Sequence, residues 1–357
     1  MGQRLKQMLL GALGLLTLGC APRQQAGPQL SGYVAMGDSL TAGMQSGGLV
    51  ARDQQQAYPV LLGQRAGLDV QMPLFQAPGC PPPMQVGDRD RRLAQSCVRV
   101  DPAQPTQVVA VPGARVLDVL ETTDRFVRVP DPLLYDQRQY RLILGAGTTQ
   151  LQAALSRHPH FITLWIGSND VLMPTLRGHP EQATPPAEFR AEYAQLLTQL
   201  TRSGAEVVVL TVPDVTRVPG LMPVTLLRAG GLVDQSCEGR GTYLSSVALA
   251  GVSRERPLHC PAEAELSAEK YRQAQQTVQA YNAAIRELAA QAGASVFDVN
   301  PLLDQLPGRP LIPTAQSPFG VSFSLDGIHP SVLTHRRLAA ELARFLNRTY
   351  GFGLDSW

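Results

Sequence analysis

Tyr33-Val34-Ala35-Met36-Gly37-Asp38-Ser39-Leu40 is the stretch that decides the fold. Its first half is a short apolar run of the kind a buried strand uses, and it ends at once in Gly-Asp-Ser. The Ser39 hydroxyl is thereby expected at the carboxyl end of a strand, where open α/β sheets bind their ligands. Two further stretches repeat the design. Val108-Val109-Ala110-Val111 breaks at Pro112-Gly113, and Phe161-Ile162-Thr163-Leu164-Trp165-Ile166 breaks at Gly167-Ser168-Asn169-Asp170. If these strands run parallel, Ser39, Gly113 and Asn169 emerge along one edge. Near the C-terminus, Asp326-Gly327-Ile328-His329-Pro330 adds a carboxylate and an imidazole. A hydroxyl, an imidazole, a carboxylate and hydrogen-bond donors are the parts needed for nucleophilic acyl transfer.

Outward from these blocks the chain alternates between strand and helix patterns. A helix is expected near 57–66, the second core strand at 106–111, and helices over 115–121 and 146–156; residues 122–145 show no clear pattern. After the third strand, Phe189, Tyr193, Leu196, Leu197 and Leu200 share one face of a helix from Ala187 to Ser203, which Gly204 closes. Val207 to Val212 is a continuous apolar run, as in the strands of buried parallel sheets. A long helix over 262–292 carries Ala274, Val278, Tyr281, Ile285 and Leu288, and a fifth strand follows at 295–299. The last helix turns Leu338, Leu342, Phe345 and Leu346 inward. This order predicts an α/β fold, a three-layer α/β/α sandwich with a central five-stranded parallel sheet. The domain is expected over 32–350, interrupted by irregular excursions at 72–106 and 213–261.

Residues 1–20 read as a signal peptide rather than fold. Arg4 and Lys6 precede an apolar run from Met8 to Leu18 that is too short to span a membrane. Without those two basic residues, Lys+Arg fall from 31 to match the 29 Asp+Glu, so nothing suggests nucleic acid or an anionic surface as a partner. Leu16-Thr17-Leu18-Gly19-Cys20 resembles a bacterial lipoprotein cleavage box, with Thr17 where the box prefers Leu. Acylated Cys20 would then anchor the chain to a membrane through a tether over 21–31, whereas an ordinary signal peptide would release it. The other four cysteines are even in number, as an exported framework requires. Cys80 with Cys97, and Cys237 with Cys260, would close short local loops, and two other connectivities stay open. A zinc site competes, but no Cys-x-x-Cys occurs.

Each block alone also serves as a turn or a loop into a helix. Their order and placement carry more. The chain resembles the SGNH hydrolases, also called GDSL esterases and lipases, through Gly37-Asp38-Ser39-Leu40, Ala110-Val111-Pro112-Gly113-Ala114, Gly167-Ser168-Asn169-Asp170 and Asp326-Gly327-Ile328-His329-Pro330. The resemblance, over 32–347, implies Ser39 as nucleophile, His329 as base and Asp326 as the group orienting the imidazole. It implies an oxyanion hole from the backbone N–H groups of Ser39 and Gly113 and the side-chain amide of Asn169. No Gly-x-Ser-x-Gly, P-loop or His-Glu-x-x-His is present. No metal or cofactor is expected.

The expected activity is hydrolysis of small-molecule or lipid carboxylic esters by a secreted or lipid-anchored monomer. A glycan O-deacetylase or a thioesterase would use the same site, and a catalytically silent envelope binding protein is the rival of another class. His158, His160, His179, His259 and His335 are expected at the surface or in loops. Trp165 and Phe161 are read as core. The 213–261 excursion is either a flap over the cleft, touching an acyl chain through Val218 to Val224, or a surface loop on the far side.

Overall fold

The computed structural model describes residues 30–86, 97–126, 137–238, 243–245, 254–262, 264–307 and 316–355. The expected signal peptide, the Cys20 acylation site and residues 21–29 of the tether lie outside the described residues. Strand β1 is Tyr33–Gly37, followed by helices α1 (Ser39–Ala42), α2 (Ala51–Gln54) and α3 (Tyr58–Arg65). Strand β2 (Val108–Ala110) leads to α4 (Val116–Glu121), α5 (Gln137–Leu144) and α6 (Gln150–Leu155). Strand β3 (Phe161–Trp165) leads to α7 (Asn169–Leu176) and α8 (Pro186–Arg202), and β4 is Glu206–Leu210. Next come β5 (Leu221–Pro223), α9 (Val224–Ala229), β6 (Tyr243–Ser245) and β7 (Glu265–Leu266). The chain closes with α10 (Ala268–Ala292), β8 (Ser295–Phe297), α11 (Asn300–Asp304) and α12 (Val332–Tyr350).

The main sheet has five parallel strands in the order β2-β1-β3-β4-β8. Strands β1 and β3 are buried along their whole length, which is why neither alternates polar with apolar residues. Register fixes what leaves the sheet together. Gly37 pairs with Ala110 on one side and with Trp165 on the other, so the segments holding Ser39, Gly113 and Asn169 exit at the same edge. The chain order reverses at β1, the position where open α/β sheets form a crevice. Helix α3 packs on α12, while α8 packs on α10 and α4, giving the two outer layers. Phe189 and Tyr281 stack with ring centroids 3.8 Å apart, joining α8 to α10 in the core. Among the described residues no helix is long and apolar enough to cross a membrane.

The structure departs from the sequence reading at five places. Helix α10 begins at Ala268 instead of 262, because Ser267 caps it by accepting the Lys270 N–H, and Glu265–Leu266 pair as a strand. The patternless 122–145 stretch contains the short helix α5. The 213–261 excursion contributes β5 and β6, which join β7 in an antiparallel sheet. Strands of two or three residues are too short for periodicity to reveal. Leu30 and Leu354 are both buried, so the packed fold begins before 32 and runs past 350. His335 is fully buried instead of exposed. It sits on the same helical face as Leu338, Leu342 and Leu346, at the three- and four-residue spacing that faces inward.

Cys80 bonds to Cys97 and Cys237 to Cys260, the two local pairings. The second closes a small core of Val224, Leu227, Val233 and Leu244 that belongs to the excursion itself. A crosslink there supplements a cluster too small to order its loops alone.

Candidate active site

Ser39 opens α1 directly after β1. Its neighbour Asp38 caps that helix, accepting the Leu40 N–H at 2.9 Å. Gly37 is the residue that permits the turn. A Cβ there would lie 2.3 Å from both the Trp165 carbonyl oxygen and the Thr41 hydroxyl, so any side chain would push the strand end away from β3. His329 reaches Ser39 from 290 residues further along, with Nε2 2.8 Å from the Ser39 Oγ. Its Nδ1 lies 2.6 Å from Asp326 Oδ2.

Asp326 is itself held in place. Its Oδ1 accepts the backbone N–H groups of Ile328 and His329 at 2.8 and 2.9 Å, and the Ser324 hydroxyl donates to the same oxygen at 3.1 Å. Burial pushes this carboxyl up, but the His329 charge and these hydrogen bonds outweigh it and hold the group at about 2. It is therefore ionised at any ordinary working pH. A hydroxyl, an imidazole and a fixed carboxylate in line form the geometry in which a serine loses its proton as it attacks.

The second and third blocks meet on the other side of Ser39. Gly113 turns with φ of 80°, a left-handed conformation that glycine adopts without strain. Asn169 opens α7, and its Nδ2 donates to the Ala114 carbonyl at 3.0 Å and to Asp38 Oδ2 at 3.3 Å. Next to it, Asp170 accepts the Val116 N–H at 3.1 Å and the Thr184 hydroxyl at 2.8 Å. Two adjacent side chains thus staple the Gly113 loop to the start of α7. Among the described residues, the backbone N–H groups of Ser39 and Gly113 have no protein acceptor.

All five residues singled out from the sequence are brought together. Asp38, Asp170 and Ser324 were missed. The two aspartates stand beside Ser39 and Asn169 within the same blocks, a signal available in the sequence, whereas nothing marked Ser324. The 213–261 excursion also borders this site. Gly220 donates its N–H to the Gly327 carbonyl at 2.7 Å, and a Cβ on Gly327 would approach the Gly220 backbone to 2.9 Å. Val218 and Ile328 both pack against the cluster of Leu176, Leu221 and Leu266, so the excursion braces the loop that carries Asp326 and His329. Met222, by contrast, packs into the excursion's own small core.

Burial raises Asp38 to about 6 and Asp170 to about 7. Between the ordinary carboxylate range and these values the folded chain binds more protons than the unfolded one, so stability falls as pH rises. Asp326 acts in the opposite sense, because its stabilisation is lost only as pH falls towards 2. Buried His335, lowered to about 4, opposes Asp38 and Asp170 below about pH 6.5, but the two aspartates together outweigh it. The expected result is a lower denaturant midpoint at pH 8 than at pH 5, with the gap narrowed in Asp170→Asn. Equal midpoints in the wild-type protein, or a gap untouched by the substitution, would contradict this account.

The family model described as GDSL-like Lipase/Acylhydrolase matches residues 33–342. Similar solved structures include a lipase/acylhydrolase from Enterococcus faecalis, 14% identical with a TM-score of 0.41, covering 88% of this chain and 95% of that one. A variant acetyl xylan esterase from Geobacillus stearothermophilus is 13% identical with a TM-score of 0.40, covering 87% and 92%. A putative lipolytic protein of the G-D-S-L family from Desulfitobacterium hafniense is 10% identical with a TM-score of 0.39, covering 87% and 97%. No curated protein matches the chain.

Proposed function

Because the chain belongs to the GDSL-like lipase/acylhydrolase family, we propose that it hydrolyses carboxylic esters through an acyl-enzyme on Ser39. The observation that carries this reading is the unbroken line from Ser39 Oγ to His329 Nε2 at 2.8 Å and from His329 Nδ1 to Asp326 Oδ2 at 2.6 Å. As Ser39 Oγ bonds to the ester carbonyl carbon, its proton passes to His329 Nε2. The same proton then goes to the departing alkoxide as the carbon–oxygen bond breaks. Water repeats the sequence in reverse, giving the acid and restoring the serine. Asp326 keeps Nδ1 protonated and stabilises the imidazolium.

Negative charge on the carbonyl oxygen is met by the Ser39 and Gly113 N–H groups and by the Asn169 amide. Both hydrogens of that amide are engaged within the protein. The bond to Asp38, at 3.3 Å the longer of the two, is the one given up to the oxyanion. Asn169→Ala should therefore lower kcat by about two to three orders of magnitude with little change in KM. Steady-state kinetics on a nitrophenyl ester decide it: a change confined to KM removes Asn169 from the oxyanion role.

The direct test of the reading is a fluorophosphonate active-serine probe followed by peptide mapping. Labelling at Ser39, abolished by His329→Ala, is expected; an unlabelled Ser39 would overturn the proposal. The two disulfides support an oxidising compartment outside the cytoplasm, in keeping with a secreted or Cys20-anchored enzyme.

A further inference from the structure

We propose that the apolar cavity beside the Asp326–His329 loop is an acyl-chain site, and that the preferred substrates are esters of medium-length fatty acids. This rests on the Ser39 acyl-enzyme reading above and narrows it. The cavity measures about 350 Å³. Its walls include Leu40, which follows Ser39, and Ile328 and Pro330, which stand on either side of His329. Trp165, Val218 and Leu303 are among the other apolar residues of the lining, which also takes in the polar Asp214 and Asn300. Four separate segments therefore build it: the strand ends below, the first part of the 213–261 excursion, α11, and the loop that carries Asp326 and His329.

Its contents follow from its chemistry. Acetyl would leave most of this apolar volume facing water, whereas a longer chain removes that surface from solvent. A methylene is close in size to a water molecule, whose share of liquid volume is about 30 Å³, so the cavity accommodates roughly ten carbons. Arg217 and Asp304, each about half exposed, form an ion pair in the same wall. A chain long enough to reach that pair meets charge and solvent, where further methylenes gain nothing. This sets an upper length. The acyl half is the one that fits a walled space. The alcohol must leave before water attacks, while the acyl group stays bonded to Ser39 until the second step.

The test is a nitrophenyl ester series from acetyl to palmitoyl, with wild type, Leu303→Trp and Val218→Phe. Burial of each added methylene should raise kcat/KM by up to about fourfold. The expected optimum is near octanoyl or decanoyl, at least about tenfold above acetyl, with palmitoyl lower. The two variants fill the cavity from different walls, and each should lower the octanoyl-to-acetyl ratio by about tenfold or more. An optimum at acetyl in wild type, or an unchanged ratio in both variants, overturns the proposal. A parallel series of acetate esters with lengthening alcohols gives a third outcome. If length in the alcohol produces the gain and the variants remove it, the cavity holds the alcohol and the proposal is wrong. Binding is also read without chemistry, by the rise in melting temperature with decanoate. A rise in wild type that Leu303→Trp loses supports the cavity even if no Ser39-dependent turnover is found. No rise in wild type overturns it.

Discussion

Ser39→Ala should fold normally and turn over no ester above about one millionth of the wild-type kcat. The size of the loss follows from how the parts depend on one another: without the attacking oxygen, His329 and Asp326 have nothing to activate, and serine hydrolases lose about six orders of magnitude when the nucleophile goes. Stability should change little. The hydroxyl's hydrogen-bond partner is His329 Nε2, and losing one such bond costs about 0.5–1.5 kcal/mol. The measurement is a full progress curve at high enzyme concentration beside a thermal melt. Turnover near wild type in a folded Ser39→Ala would remove the serine from the mechanism altogether.

Asp326→Asn is the second large effect, expected at about four orders of magnitude in kcat. The substitution is close in shape. The oxygen that accepts the Ile328 and His329 N–H groups can remain, so the loop keeps its form. What changes is the partner of His329 Nδ1. An amide N–H in place of Oδ2 favours the tautomer with its proton on Nε2, which donates to Ser39 instead of accepting from it. The imidazolium also loses the charge that Asp326, ionised down to about pH 2, supplies. KM should stay close to wild type, because no substrate contact is removed. A kcat within about tenfold of wild type would show that the carboxylate only shapes the loop.

The sheet and the five site residues were legible in the sequence because both depend on patterns that are local. Strands such as Phe161–Trp165 are continuous apolar runs, and each of Ser39, Gly113 and Asn169 follows one of them within a few residues. The helix faces of α8 and α10 were legible for the same reason. What was hidden depends on contacts between distant segments. His335 looked like an ordinary polar residue of a helix, yet its position among Leu338, Leu342 and Leu346 sends it inward. Strands of two or three residues, such as Glu265–Leu266, have no period to read. The 2.7 Å bond from Gly220 to Gly327 joins residues more than a hundred positions apart, and neither glycine signals the other.

The separation of 290 positions between Ser39 and His329 has a consequence for when the enzyme comes alive. Parallel strands pair only after long stretches of intervening chain have been placed, so sheets of this kind form slowly, and contacts of high sequence separation come at a large loss of chain entropy. No fragment ending before His329 contains both members of the proposed nucleophile–base pair. On the proposed mechanism a growing chain is therefore chemically silent until its last segment docks. Recovered ester turnover during refolding consequently serves as a clock for the final long-range contact, lagging behind any signal that reports helix formation.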